Sequence, residues 1–493
     1  MRDRGFLGID LGTSAVKVVV QDETGTAVAK ARVPYETTTP QANWAEQSPE
    51  DWWTATCTAV RAVLADLHDS LDIAAVGLSG QLNGFVLLDG DNRPLHDAVI
   101  WLDLRATDET ARIVASAGAR IGAVTGNTLT PIAVLPKLAW FHKHRPELMG
   151  RVKRVALVKD MLLLRLTGVL VTDPSDAVST AMASLVGTRW QPDLCEYAGI
   201  TPEQMPEIRP SPEIVGTILP AAAEQIGLPP GTPVATGAGD VAALAVGCGA
   251  VKAGRVAVTL GTAGHVVADA TGHRSPEPGA VWQIPHAVPG HDLWLGLVMS
   301  GGLSLAWMRT LLGAGGQASP DYAALEALAR QSPPGADGVT FLPFLEGAST
   351  PYDRPDARAS FHGLNSTHGP GDLVRAVLEG VAFNVRQCVG LFETLGMTVS
   401  EVRLAEGGAQ LPLWCQIIAD TLGTPVQLVE ELDTSAAGAA IIARAGARDV
   451  PLGELAERLV RMGQSFEPNP ETANIIKDAY QCYLALCDRS LAP

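Results

Sequence analysis

Aromatic residues make up only 5% of this 493-residue chain and charged residues only 18%. A large core is still available, because 47% of the residues are hydrophobic, an ordinary share for a globular protein. Basic charge is short: 36 Lys and Arg stand against 53 Asp and Glu, a formal net charge of −17. Such a surface repels polyanions, so neither nucleic acid nor an anionic membrane is an expected partner. The seven cysteines form no CxxC pair and are odd in number, which argues against a disulfide framework or a zinc site. No run of about 18 uncharged apolar residues occurs, and MRDRGFLGID enters a strand pattern almost at once. The expectation is a cytoplasmic protein. No GxxxxGK[ST] stretch appears, so any nucleotide site is not a P-loop.

Glycine is what the chain has in quantity, at 50 residues. That balance suits an α/β protein with many tight strand-to-helix turns, and the length calls for at least two domains. FLGIDLGTSAVKVVVQDETG (6–25) reads as two strands joined at a Gly-Thr-Ser turn, followed by a second turn and the strand-like TAVAKARVPYE. Residues 49–67 read as a helix opened by Pro49 and Glu50, and IAAVGLSG (73–80) as a buried strand. In the second half, 371–395, 411–423 and 438–447 read as helices and VRLAEGG (402–408) as a strand running into a turn. GIDLGTSAVKVVV and AVTLGTAGHVVAD share an LGT triplet 249 residues apart. This is a weak internal repeat, predicting two related α/β domains over 1–248 and 249–493, each with its own phosphate hairpin.

Three glycine turns follow strands. In the first, Gly12, Thr13 and Ser14 offer backbone N–H groups and hydroxyls to phosphate oxygens. Asp10, just before it, suits a Mg²⁺ ion bridging ATP phosphates; an ordinary hairpin is the bland alternative. In the second, Thr262 beside Gly261 is placed to bond a terminal phosphate. In the third, Gly407, Gly408 and Ala409 follow a strand and precede a helix, as a backbone wall against a nucleotide would. ATGAGDVAALAVG (235–247) sets one carboxylate, Asp240, among small apolar residues. Taken alone it is a helix N-cap as readily as a reactive group.

Taken in order, these motifs resemble the FGGY family of carbohydrate kinases, and within it the xylulokinase branch. GIDLGTSAVKVVV, WAEQSPEDWW (44–53), SGQLNGFVLLD (79–89), WLDLRA (101–106), VKDMLLLRLTG (158–168) and TDPSDAVST (172–180) follow in family order. GAGDVAALAVG, VTLGTAGHV, FLPFLEGASTP, EGGAQLPLWCQIIADTLGTPV and TSAAGAAIIA complete the set over roughly 5–480. The resemblance implies two actin-like, ribonuclease H-like domains with a cleft between them, a sugar-binding N-terminal one and a nucleotide-binding C-terminal one. ATP and Mg²⁺ are the implied cofactors, a small sugar the partner, and a homodimer is compatible with it.

Asp240 falls where the family has its general base, and Asp10 where it supports the metal. Gln81, Leu82 and Asn83 fall on the sugar-contacting turn. Trp101 and Asp103 are further candidates for a place by the sugar, with a buried Trp at a strand end as the alternative. Gly302, in MSGGLSLAW, matches a glycine that lines the nucleotide, together with Gly12, Thr13, Ser14, Gly261, Thr262, Gly407, Gly408 and Ala409. The implied reaction is phosphorylation of D-xylulose to its 5-phosphate. The xylulokinase turn reads Gly-Gln-Met-His-Gly, whereas this chain has Leu82 and Asn83; where the family has Asn after the base, it has Val241. Ala263 replaces a Ser, and GAS (347–349) a common Gly-Glu-Arg. Kinase chemistry survives these departures, but the sugar becomes open: another ketose or a polyol is the alternative. A non-sugar actin-like ATPase is the rival from a different class.

Overall fold

The computed structural model describes residues 3–67, 71–313 and 319–491. The chain forms two compact units that do not follow chain order. The first comprises Met1–Val251, Ser275–Leu293 and Asp433–Arg461; the second comprises Lys252–Arg274, Trp294–Leu432 and Met462–Pro493.

In the first unit, strand Asp3–Leu11 lies antiparallel to Ala15–Gln21, which lies antiparallel to Ala27–Pro34. On its other edge Asp3–Leu11 runs parallel to Leu71–Gly80. Pro233–Ala235 and Ala238–Gly239 continue the parallel direction beside Leu71–Gly80, and Ile214–Thr217 closes the edge. Leu7, Ile9, Leu11, Val16, Val18 and Val20 bury one face against helix Pro49–Asp66 and its neighbours. That helix starts at Ser48, whose side chain accepts the Asp51 N–H, with Pro49 in the first turn. A smaller four-stranded sheet carries Glu46–Gln47, Ala98–Val99, Phe85–Leu88 and Arg154–Leu157.

The other face of the main sheet is covered by Thr434–Arg448, a helix rich in Ala and Gly. It lies backbone-close: a Cβ on Gly8 would stand 1.8 Å from the Ala436 carbonyl oxygen, and one on Gly77 1.9 Å from that of Ala439. Gly438 meets the Ala243 carbonyl of helix Asp240–Gly247 in the same way, at 1.9 Å. Since the obstacle is backbone, it cannot swing aside. Gly8→Ala is therefore expected to destabilise by about 1–3 kcal/mol or more, read as a lower midpoint in urea; an unchanged midpoint contradicts this packing.

The second unit repeats the arrangement. Arg255–Leu260 is antiparallel to Gly264–Asp269 and parallel to Glu401–Ala405. Val426–Val429 and Met462–Phe466 extend the sheet past Glu401–Ala405, and Asp292–Val298 extends it past Gly264–Asp269. Helices Pro370–Thr394 and Pro412–Leu422 pack with it. The two LGT triplets thus close corresponding hairpins, one per unit. Among the described residues, no helix is long and apolar enough to cross a membrane.

Candidate active site

Three parallel strands of the first unit end side by side, and ligands in open α/β sheets gather at such carboxyl ends. Asp10 pairs in register with Lys17 on one side and Ser79 on the other; Ala238 and Gly239 stand beside Ser79 and Gly80. The ends therefore deliver Asp10, Gln81 and Asp240 to the same end of the sheet.

Asp10 is buried, and its Oδ1 accepts a 2.8 Å hydrogen bond from Ser79 Oγ. Burial raises its pKa most; Lys17 and the Ser79 hydroxyl oppose the rise, and Asp433 adds to it. Lys17 is also ion-paired with Asp433, at 3.4 Å. The turn that follows is held from behind. Gly12 N–H donates to Ala15 O at 3.2 Å, and Tyr35 Oη donates to the Gly12 carbonyl. Thr13 Oγ1 accepts from Trp101 Nε1 at 2.8 Å, and Thr13 O from Gln47 Nε2 at 2.7 Å. Ser14 is exposed.

The Gln81–Asn83 turn presents acceptors. Trp52 Nε1 can only donate, and it donates to Gln47 Oε1 at 3.0 Å. That oxygen also takes Gln81 Nε2 at 2.9 Å, which fixes the Gln81 amide and leaves its buried Oε1 without a partner. Asn83 Oδ1 is likewise buried and unpartnered. Asn83 has φ 63°, a left-handed conformation that Asn tolerates better than most residues. Lys137, fully buried, donates to Asn83 O at 3.0 Å and Ile100 O at 2.7 Å, clamping the turn. Burial pushes its pKa down to about 7; Asp103 opposes this and Arg105 adds to it. Leu82 is buried.

Trp101 reaches this region through its bond to Thr13. Asp103 does not present its carboxylate freely: it is fully buried, with Oδ2 accepting from the Ala45 amide at 2.7 Å. Both its oxygens also accept from Arg105, at 2.8 Å (Nε to Oδ1) and 2.7 Å (Nη2 to Oδ2). Arg105 lies 3.8 Å from the Trp44 ring centroid and bonds Glu46 at 2.5 Å.

Asp240 opens helix Asp240–Gly247. It keeps some solvent contact but is densely surrounded. Desolvation and the neighbouring Asp10 charge raise its pKa to about 7, against the amides of Val241, Leu82 and Asp240 itself. The Val241 N–H bond to Oδ1 is 2.9 Å. Asp240 is thus at once a helix-start residue and a carboxyl whose pKa is raised to about 7, tied by an amide to the Leu82 turn. Val241 is buried and apolar.

In the second unit the other three predicted stretches also meet. Gly302 N–H donates to Gly261 O at 2.7 Å, and Leu303 N–H to Thr262 O at 3.1 Å. A Cβ on Gly302 would lie 2.5 Å from that same Gly261 oxygen, and one on Gly408 2.5 Å from Leu260 Cβ. Gly407 and Ala409 lie in the short turn of helix Gly407–Gln410. Sequence reasoning missed Glu406, which has φ 67° and ψ −159°, a region almost confined to glycine. Its carboxylate lies 2.6 Å from where a Gly261 Cβ would be, so strain and charge are concentrated at these turns. It also did not single out Ser79, Gln47 and Lys137, whose roles come from packing, although Ser79 and Gln47 lie in stretches that follow the family order.

Comparison with known proteins decides the class. Residues 6–247 match the N-terminal domain, and residues 256–447 the C-terminal domain, of the FGGY family of carbohydrate kinases. The chain belongs to the FGGY family. This kinase has the family's two-domain α/β, actin-like (ribonuclease H-like) fold, and it is a sugar kinase, a phosphotransferase. It is 37% identical to the xylulose kinase of Escherichia coli (strain K12) over 418 residues, 85% of each chain. To the gluconokinase of Bacillus subtilis (strain 168) it is 30% identical over 450 residues, 89% of this chain and 86% of that one. A crystal structure of a xyloylose kinase from Brucella ovis superposes with a TM-score of 0.90 at 33% identity, covering 98% of both chains.

Proposed function

We propose that this FGGY kinase transfers the γ-phosphoryl group of ATP to the primary hydroxyl of a ketose, D-xylulose, giving D-xylulose 5-phosphate in the cytoplasm. The observation that carries this reading is Asp240: a carboxyl raised to about 7 and bonded by the amide of Leu82, whose two chain neighbours, Gln81 and Asn83, each carry a buried, unpartnered acceptor oxygen. A sugar hydroxyl is a poor nucleophile until its proton can leave. Asp240 accepts that proton as the oxygen attacks phosphorus. Gln81 Oε1 and Asn83 Oδ1 accept hydrogen bonds from sugar hydroxyls, Trp101 and Leu82 offer apolar surface to C–H groups, and Asp103 holds Arg105 in place. Gly12, Thr13 and Ser14 bind phosphate oxygens. Gly261, Thr262, Gly302, Gly407, Gly408 and Ala409 bind the nucleotide through backbone amides and close approach.

The donor set fits Mg²⁺ of the kind that rides on ATP. Among the described residues no group of three or more His, Cys, Asp or Glu is arranged to hold a metal. Mg²⁺ held by phosphates and water needs only one or two protein carboxylates, and the buried carboxylate of Asp10 would supply one. When bound, the ion neutralises phosphate charge.

The base works only when ionised. Asp240 is ionised above its raised pKa, so kcat/KM should fall as pH drops through about 7, approaching tenfold per pH unit below it. A pH–rate profile from 5 to 9 checks this, and an acid limb near 4 contradicts it.

A second reading keeps the chemistry and changes the sugar. The Val241 side chain offers no hydrogen bond, Asn83 has no ring, and the gluconokinase relative, at 30% identity, is as similar as xylulose kinases at 29% and 31%. A site matched to different hydroxyls selects a different substrate. An ADP-release screen over pentuloses, hexuloses, tetruloses, polyols and aldonates separates the two. Strongest kcat/KM with D-xylulose supports the first reading; failure with D-xylulose and strong turnover of another substrate supports the second.

A further inference from the structure

Behind Asp240, outside the residues assigned to sugar or nucleotide, lies a buried ionic cluster. Lys159 Nζ is 2.6 Å from Asp160, 2.9 Å from Asp173 and 3.3 Å from Asp176, and it bonds Thr172 Oγ1 at 3.2 Å. All four charged side chains are buried. One cation against three carboxylates is a costly grouping for a protein interior. Apolar residues of similar size would serve stability as well.

Asp173 faces two ways. Its Oδ1 meets Lys159, while its Oδ2 accepts from the Ser175 amide at 2.8 Å and from Ser175 Oγ at 2.5 Å. The Ser175 hydroxyl, having donated its hydrogen to Asp173, accepts the Gly239 N–H at 3.0 Å. Gly239 immediately precedes Asp240. It is wedged in place: a Cβ there would lie 2.2 Å from Leu82 Cδ2 and 3.2 Å from Ser175 Oγ. On the other flank, a Cβ on Gly80 would lie 3.0 Å from Lys159 Cβ. The cluster therefore abuts both peptide segments that lead into the site.

We propose that Lys159, Asp173 and Ser175 form a positioning relay for Asp240. Lys159 orients Asp173, Asp173 orients the Ser175 hydroxyl, and that hydroxyl holds the Gly239 amide so that the next residue's carboxylate is aimed. The inference rests on Asp240 being the base. None of the three is a catalytic residue, because none reaches the reacting atoms.

The test is steady-state kinetics with the sugar that turns over best, with rates expressed per folded enzyme. Ser175→Ala should lower kcat at least tenfold with the sugar KM within twofold. Ser179→Ala removes another buried hydroxyl from the same short helix, one that donates only to Asp176 O at 2.8 Å, and should stay within twofold of wild type. Ser175→Thr, which keeps the hydroxyl, should recover most of kcat. Asp173→Asn keeps an acceptor at the cap and removes the charge; it should lower kcat at least threefold, and it stands as the test if Ser175→Ala does not fold. Wild-type kcat in Ser175→Ala, or in Asp173→Asn should Ser175→Ala not fold, overturns the relay. So do equal losses in Ser175→Ala and Ser179→Ala, or a loss confined to KM. Asp240→Asn in the same series separates the two ideas. If it is inactive and Ser175→Ala is normal, only the relay fails; if it is fully active, the base assignment fails.

Discussion

Asp240→Asn is expected to lower kcat for sugar phosphorylation by about 10²–10⁴-fold, the range over which a positioned general base contributes. Asn keeps the size and one hydrogen-bonding oxygen but cannot take a proton. The sugar KM should change little, because Gln81 and Asn83 still present their oxygens. The same substitution should stabilise the fold at pH 8. The Asp240 carboxyl has a raised pKa in the folded protein, so folding favours its protonated form. Ionisation therefore costs stability progressively as pH rises from about 4 through 7. Asn removes that cost. Since Asp240 retains some solvent contact, the gain is discounted to about 1 kcal/mol at pH 8 and vanishes below pH 4. A variant that loses activity while its melting temperature rises at pH 8 separates loss of a base from loss of structure. Retained sugar-dependent turnover contradicts the mechanism.

Lys159→Met should be strongly destabilising. It leaves Asp160, Asp173 and Asp176 buried together without a cation, and breaking a buried pair in this way costs about 3–5 kcal/mol. The loss should grow with pH. Burial raises the pKa of both Asp160 and Asp176, with Lys159 opposing the rise. Without that cation their pKa values rise further, so the folded state binds still more protons than the unfolded chain. Stability then falls more steeply as pH increases. Urea unfolding at pH 5.5 and 8 checks this; a midpoint equal to wild type at both contradicts the cluster's charge state.

Much of this architecture is legible in the sequence, and the reasons are local. The strand–turn–strand pattern of 6–25 is carried by alternation and turn residues, and it folds as read. The paired LGT triplets mark corresponding hairpins in the two units because the same turn chemistry closes the same strand pairing. Asp240 could be noticed because a carboxylate among small apolar residues is costly to bury. Other features depend on contacts no window contains. VKD and TDPSD show four charged residues with nothing to say that three buried carboxylates gather around one lysine nitrogen. Asp103 looks like a polar group beside the sugar turn, yet its oxygens are engaged by Arg105 and an amide. Glu406 precedes two glycines, and only the backbone reveals that it adopts a glycine-like conformation itself. Thr434–Arg448 announces close packing by its small residues but not which sheet receives it.

If this kinase makes a sugar phosphate with Asp240 as the base, product formation must depend on that carboxyl. The most direct measurement is phosphorus NMR of reactions containing D-xylulose, ATP and Mg²⁺, with wild-type enzyme and Asp240→Asn side by side. The account predicts a phosphomonoester resonance of D-xylulose 5-phosphate growing in step with ADP in the wild-type sample, and neither in the variant over the same time. ADP appearing with inorganic phosphate and no sugar phosphate, or equal sugar phosphate from both enzymes, would contradict it.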